Sequence, residues 1–355
     1  MKRHFLLLSF SLIILSIQAR QKITYTIDKI WDNGMYCSFT SLIKYKGNYY
    51  CSFREGESHI FDHNGKAEGK VRVLRSKNGR KWESVLLAGE PGIDLRDPKL
   101  SITSDGRLMI CAGGSVYQDK QFISRHSYIM FYDGKEFSEP IRSILDSDPN
   151  HKADWNWRVT WHKGTGYVVD YYTETSGKPG MQLMSTQDGI HYHTICQLNI
   201  SNSPGETTIR FLSDDRMVLM VRRDAGDGMG YWGVSPLPYT DWNFTQMEMR
   251  LGGPDFLILD DDHAIASTRS HYTSACKTVM LKGNPQTGKF QEVLVVPSGG
   301  DTSYGGLLVE GDEVWMSYYS THEAPYSCIY LAKVPLSLFK EEKNPNTGTL
   351  YEAKK

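Results

Sequence analysis

Scattered short segments of this chain combine charged donors, carboxylates and aromatic rings in a way that suits a polar ligand. They are Arg54-Glu55, Arg96-Asp97, Trp157-Arg158, Glu206-Thr207, Arg222-Arg223-Asp224, Arg269-Ser270-His271, Ser303-Tyr304, and Tyr318-Tyr319 with His322. An arginine is a planar, permanently charged donor that matches a carboxylate or a pair of hydroxyls, and an aromatic face suits a sugar ring. Taken singly, any of these arginines has a plainer reading as a stiffener paired with Glu55 or Asp224. Taken together, they have the chemistry to hold a polyhydroxylated or acidic molecule, provided that the fold brings distant segments to one place.

The repeats supply such a fold. Strand-turn-strand patterns recur around Gly47, Gly106, Gly164, Asp215, Asp262 and Gly311, with turns 59, 58, 51, 47 and 49 residues apart. Their arms are short and rich in Val, Ile, Leu, Tyr and Phe, which favours strand over helix. A third apolar run follows each hairpin, and five of these lead through a turn into a fourth strand. The turns Asn78-Gly79, Asp133-Gly134, Asp188-Gly189 and Thr287-Gly288 offer the positive φ of a tight hairpin. The sixth unit lacks its fourth strand and ends in a polar tail after Lys340, whereas Ile23 to Ile30 is strand-like and precedes the first hairpin. The pattern predicts an all-β fold, a six-bladed β-propeller of four-stranded antiparallel blades whose ring is closed by the N-terminal strand. Loops entering the first strand and leaving the second strand of every blade open on one face, where all the segments named above would converge.

The turns, especially Arg75-Ser76-Lys77-Asn78-Gly79-Arg80-Lys81-Trp82, resemble degenerate Asp boxes of the sialidase superfamily, and the resemblance covers nearly the whole chain after its leader. It implies a tyrosine nucleophile activated by a glutamate, arginines that hold the substrate, and an aspartate acid/base. Pro204-Gly205-Glu206-Thr207-Thr208-Ile209 resembles the glutamate segment, and Asp301-Thr302-Ser303-Tyr304-Gly305-Gly306-Leu307 the nucleophile segment. Arg222, with Arg223 as its rival, and Arg269 match substrate-binding arginines. Asp62 is the acid/base candidate and His59 its competitor. The resemblance breaks where the family carries Tyr-Arg-Ile-Pro, because this chain has Tyr36-Cys37-Ser38-Phe39, leaving Arg54 or Arg96 to reach the same space. A tyrosine hydroxyl, neutral until its proton is withdrawn, is a known exception to carboxylate nucleophiles among glycosidases and avoids repelling an anionic sugar.

The implied function is a retaining glycoside hydrolase acting on a terminal sugar, acidic ones included. A carbohydrate-binding propeller without turnover is the alternative, and a polysaccharide lyase using His271 or Tyr304 as base is a third reading. The substrate-binding set expected is Arg54, Arg96, Arg158, Arg222, Arg223, Arg269, His271, Trp157 and His322. No metal and no cofactor are expected. Asp260-Asp261-Asp262 sits in a hairpin turn, the six cysteines form no Cys-x-x-Cys pair, and neither a phosphate-binding Gly-rich loop nor a Gly-x-Ser-x-Gly elbow is present.

Composition narrows the partners. With 40 basic and 41 acidic side chains the formal charge is −1, and there is no basic run to grip a phosphate backbone, so a glycan is expected and nucleic acid is not. Lys2-Arg3-His4, the apolar stretch from Phe5 to Ile17 and Ala19 read as a signal peptide over residues 1–19, followed by a single domain over 20–355. The stretch is shorter than a membrane span, so an exported, periplasmic or extracellular protein is expected, with no membrane insertion.

Overall fold

The computed structural model describes residues 22–146, 151–271, 275–340 and 350–354; the expected signal peptide lies outside them. Apart from one turn of helix at Ser337–Lys340, its regular elements are strands, arranged as a β-propeller. The innermost strands carry nearly continuous buried runs, as Tyr36–Tyr45 does, because each is covered by neighbouring sheets on both faces. Outermost strands such as Glu83–Ala88 are mostly exposed or half-buried.

Three units form separate four-stranded sheets: Tyr36–Tyr45 through Glu83–Ala88, Pro204–Phe211 through Asn243–Arg250, and Asp255–Ile258 through Lys289–Val295. The sequence predicts six such sheets, but hydrogen bonds group the strands into five. The second and third units share one ten-stranded sheet. Strand His151–Asn156, which the repeat pattern does not contain, pairs with Thr165–Glu174 on one side and touches Gln121–Tyr132 on the other at Ala153 and Arg125.

The predicted ring closure is present. Lys22–Trp31 pairs antiparallel with Cys328–Pro335, with Ile27 opposite Ala332. The polar-tail reading is corrected, since Leu350–Lys354 adds a fifth, parallel strand beside Lys22–Trp31. All six cysteines are free thiols, four of them buried.

The Asx turns work as their sequences suggest. The Asn78 side chain accepts the N–H groups of Arg80 and Lys81, Asp133 those of Lys135 and Glu136, and Asp188 those of Ile190 and His191. In the fourth turn the acceptor is Asn284 rather than Thr287. These turns also stitch the ring. A Cβ on Gly79 would lie 2.3 Å from the Trp315 ring of the neighbouring sheet, so only glycine lets the two pack.

One irregularity positions the site. The innermost strands are bulged at the same level, between Ser38 and Ser41, Arg96 and Lys99, Pro204 and Thr207, and Ser303 and Gly306. Phe39, Asp97 and Tyr304 sit at these bulges with φ of 65°, 53° and 52°, in the left-handed region that side chains seldom adopt. A bulge re-aims the local side chain. Here Phe39, Asp97, Glu206 and Tyr304 are turned toward the axis.

Candidate active site

At the centre of this mouth the Tyr304 hydroxyl donates to Glu206 Oε1 at 2.6 Å, and Arg222 Nη1 donates to the same phenol oxygen at 3.0 Å. Arg222 also meets Glu206 Oε1 at 2.8 Å, and the second oxygen of Glu206 accepts the Gly253 N–H at 2.7 Å. Gly253 has φ +59°, and a Cβ there would lie 2.3 Å from the Tyr304 ring, so the tyrosine packs directly on the peptide that anchors its partner. Burial opposes the charge of Glu206, but Arg222, the tyrosine hydroxyl and the Gly253 N–H outweigh it and lower its pKa. Burial and the Glu206 charge raise Tyr304 well above its ordinary value. The resting pair is therefore a neutral phenol donating to a carboxylate.

Beside Tyr304 lies a second polar cluster built on Asp301. Its Oδ2 faces His59 Nδ1 and accepts from Tyr36 OH, both at 2.6 Å, while its Oδ1 accepts from Tyr319 OH at 2.7 Å and lies 3.8 Å from Arg269. Burial raises the Asp301 pKa, but bonds from His59, Tyr36 and Tyr319 prevail and set it at about 2. A carboxylate so held only accepts, which places the His59 proton on Nδ1. The other ring nitrogen lies 3.3 Å from Arg96 Nη2 and takes its hydrogen bond. The Arg269 guanidinium is 5.6 Å from the Tyr304 ring centre.

Aromatic rings wall the site. Phe39 meets Tyr304, Tyr319 and His59 edge-on at 4.9, 5.5 and 5.3 Å, and Trp157 meets Tyr304 at 5.9 Å. Lys99, fully buried, stands over both the Trp157 and Tyr304 rings, and desolvation lowers its pKa to about 8. Its neighbour Asp97, 3.8 Å away, is raised by burial to about 6.

Of the residues expected from sequence, Tyr304, Glu206, Arg222, Arg269, Arg96, His59 and Trp157 come together. The others do not join them. Arg54 is buried, with Nε on Asp94 Oδ1 at 2.8 Å and Nη1 on the Ser58 carbonyl, so it stiffens the first hairpin loop. Arg223 follows Arg222 on one strand and therefore points to the opposite face, where it bonds Asp227 and the Met229 carbonyl and stacks on Tyr231. Arg158 pairs with Asp255 at 3.4 Å. It lines a cavity of about 460 Å³ with Ile43, Ile102 and Val309, at the far ends of the innermost strands.

Asp62 caps its own loop by accepting the N–H groups of Asn64 and Lys66, which leaves His59 as the member of that pair beside Tyr304. His322 bonds Ser320, and exposed His271 lies 3.6 Å from the Cys276 thiol. Neither has a hydrogen bond to the Tyr304 cluster among the described residues. Glu57, Asp62 and His63 bring one potential metal ligand atom each within 4.8 Å of one another, but Glu57 already accepts both the N–H and the Nδ1 of His63. Sequence reasoning missed Asp301 as a functional group, although it heads the segment that carries Tyr304.

No family model and no curated protein matches the chain. Solved structures do. A protein of unknown function from Dyadobacter fermentans superposes with a TM-score of 0.75 at 16% identity, over 87% of this chain and 98% of its own. A Hadza microbial sialidase gives 0.67 at 13%, over 86% of this chain and 66% of that one. Trypanosoma rangeli sialidase in complex with sialic acid gives 0.66 at 10%, over 88% and 59%. The chain thus shares the propeller fold of sialidases and spans about three fifths of the trypanosomal enzyme.

Proposed function

We propose that this chain is an exported glycoside hydrolase on a six-bladed sialidase-like propeller, cleaving a terminal sugar from a glycan with retention. The observation that carries the reading is a buried phenol whose oxygen is shared by Glu206 at 2.6 Å and Arg222 at 3.0 Å. Glu206, ionised at rest, takes the phenol proton as the Tyr304 oxygen bonds the anomeric carbon, and Arg222 stabilises the charge that grows on that oxygen. With a proton from solvent on Nε2 in place of the Arg96 hydrogen bond, His59 is an imidazolium that keeps Nδ1–H on Asp301, and it gives the Nε2 proton to the departing glycosidic oxygen. Water then returns a proton to His59 and attacks the anomeric carbon, and Tyr304 leaves with the proton held by Glu206. Atoms balance as hydrolysis.

Two features support the count of six blades. The ten-stranded sheet divides into two runs at the single-pair parallel link of Ala153 and Arg125. In addition, six apolar clusters each join strands of successive units around the ring. Export rests on the leader sequence. Among the described residues no helix is long and apolar enough to cross a membrane.

The test is Tyr304→Phe, which deletes one oxygen and keeps the ring. On a glycan found by screening with product detection by mass, turnover should fall by about 10²–10⁴ or more, with binding little changed. Undiminished turnover removes Tyr304 from the mechanism. The engagement of both His59 nitrogens favours a second reading, a glycan-binding propeller without turnover; binding without conversion by the wild type would establish it.

A further inference from the structure

We propose that the sugar held against Tyr304 is a neutral one, because the chain's own carboxylates already match the arginines that face it. The inference deepens the glycosidase reading and takes its site from it. Arg222 is held by Glu206 and by Asp224, each at 2.8 Å. Arg269 is faced by Asp301 at 3.8 Å. Arg96 lies between Asp94 and Asp97, at 3.4 and 3.8 Å, with its plane against Phe39. Buried Lys99 shares Asp97. Each of these four cations is thus matched by a carboxylate of the protein. Of the internal segments outside the description, 147–150 and 272–274 contain no lysine or arginine, and 341–349 contains Lys343. Arg250, the remaining cation acting on nearby His271, ends an outermost strand and is exposed.

A substrate carboxylate brought to Arg269 would come up beside Asp301, which hydrogen bonds from Tyr36 and Tyr319 keep charged and fixed. On the Arg222 side it would meet Glu206. Either approach sets two like charges against one guanidinium in a partly buried site, and the protein's carboxylate is already in place. A hydroxyl meets no such opposition. Arg269 keeps 17% of its side chain exposed and meets Asp301 only at 3.8 Å, beyond hydrogen-bond reach, so its guanidinium retains N–H groups for a ligand although its charge is matched. A matched cation with a free N–H recognises the lone pair of a hydroxyl or ring oxygen.

The experiment is a glycan array carrying oligosaccharides with neutral terminal sugars and matched ones ending in uronic or sialic acids, probed with wild type and Tyr304→Phe. Retention of neutral-capped glycans is expected. A preference for acid-capped glycans overturns the proposal, and so does the absence of any neutral-capped binder. Asp301→Asn then frees the charge of Arg269, and binding of acid-capped glycans should tighten by about ten-fold or more, the worth of one charge-assisted bond. A folded Asp301→Asn that gains nothing for acids also overturns it. Turnover of the retained glycans is scored separately. Neutral binding without hydrolysis would sink the catalytic reading while leaving the charge assignment standing.

Discussion

Replacing Glu206 by glutamine tests the centre of the site through stability as well as rate. The carboxylate accepts from Tyr304 and Arg222 on one oxygen and from the Gly253 N–H on the other. A glutamine has one acceptor oxygen and one donor nitrogen, and all three neighbours donate. Whichever way the amide turns, its NH₂ faces an N–H: that of Arg222 if the oxygen stays on Gly253, that of Gly253 if it does not. One orphaned, partly buried donor costs about 1–3 kcal/mol. The exposed Asp224 carboxylate, 2.8 Å from Arg222, keeps the loss toward the lower part of that range.

The pH dependence follows from sign. Glu206 has a lowered pKa in the fold, so its ionisation adds stability above the unfolded value, and that stability drains away as pH falls through the folded value. Calorimetric melts should therefore show Glu206→Gln less stable than wild type at pH 7, by about 1–2 °C per kcal/mol. The gap should narrow below about pH 4, where a free glutamate protonates. A gap that is independent of pH, or a glutamine variant as stable as wild type at pH 7, would refute the account of the pair. In catalysis the same variant should lose about 10²–10⁴ in turnover, since the proton acceptor is gone.

Other substitutions separate scaffold from chemistry. Arg54→Met should cost on the order of 3 kcal/mol, since buried Asp94 loses its closest cation and keeps Arg96 at 3.4 Å, and the double variant with Asp94→Asn should recover part of it in melts. Arg223→Ala should lower Tm without changing kcat/KM, whereas Arg222→Ala should cut kcat/KM steeply; equal effects on activity would put both on one face. His59→Ala should lose about 10²-fold or more in turnover while Asp62→Asn stays within about two-fold, and the reverse order would return the proton to Asp62. Gly253→Ala should both destabilise the fold and displace Tyr304, read as lost stability and lost turnover together, because its Cβ has no room beside the ring.

Much of the architecture was legible because it depends on local patterns. Apolar arms around Gly or Asp turns gave the hairpins, and the strand-like Ile23 to Ile30 gave the closure that its pairing with Cys328–Pro335 displays. Asn78, Asp133 and Asp188 marked their turns because an Asx side chain bonds its own backbone two and three residues on. Non-local pairings were not legible. Ala153 and Arg125 meet through a lone parallel link that no hydrophobic period announces, and Leu350–Lys354 finds its partner across almost the whole length of the chain.

The candidate site divides along the same line. Glu206, Arg222, Arg269 and Tyr304 were found because residue type and segment agreed. Arg54 and Arg158 were misassigned because nothing in the sequence says that Asp94 or Asp255 will claim them first. Arg222 and Arg223 could not be separated from sequence, since adjacent strand residues face opposite ways and a one-residue slip exchanges them. Asp301 went unremarked although it shares its segment with Tyr304, because its partners Tyr36, His59 and Tyr319 come from separate stretches of chain.

The bulges explain why both kinds of error fall at the mouth. A regular innermost strand would send every second side chain into its neighbours, and the axis would receive whatever the period dictates. An extra residue at one level breaks that period in four strands and lets Phe39, Asp97, Glu206 and Tyr304 meet across the axis. The left-handed backbone at Phe39, Asp97, Ser303 and Tyr304 costs on the order of 1–3 kcal/mol each and persists only where surrounding structure fixes it. Here the fixing contacts are visible: Thr40 Oγ1 donates to the Tyr304 carbonyl, Ser303 Oγ to the Gly252 carbonyl, and Gly253 holds Glu206 under the ring. Strain held in this way, at the one level where phenol, carboxylate and guanidinium meet, fixes these groups in advance as the proposed reaction would need.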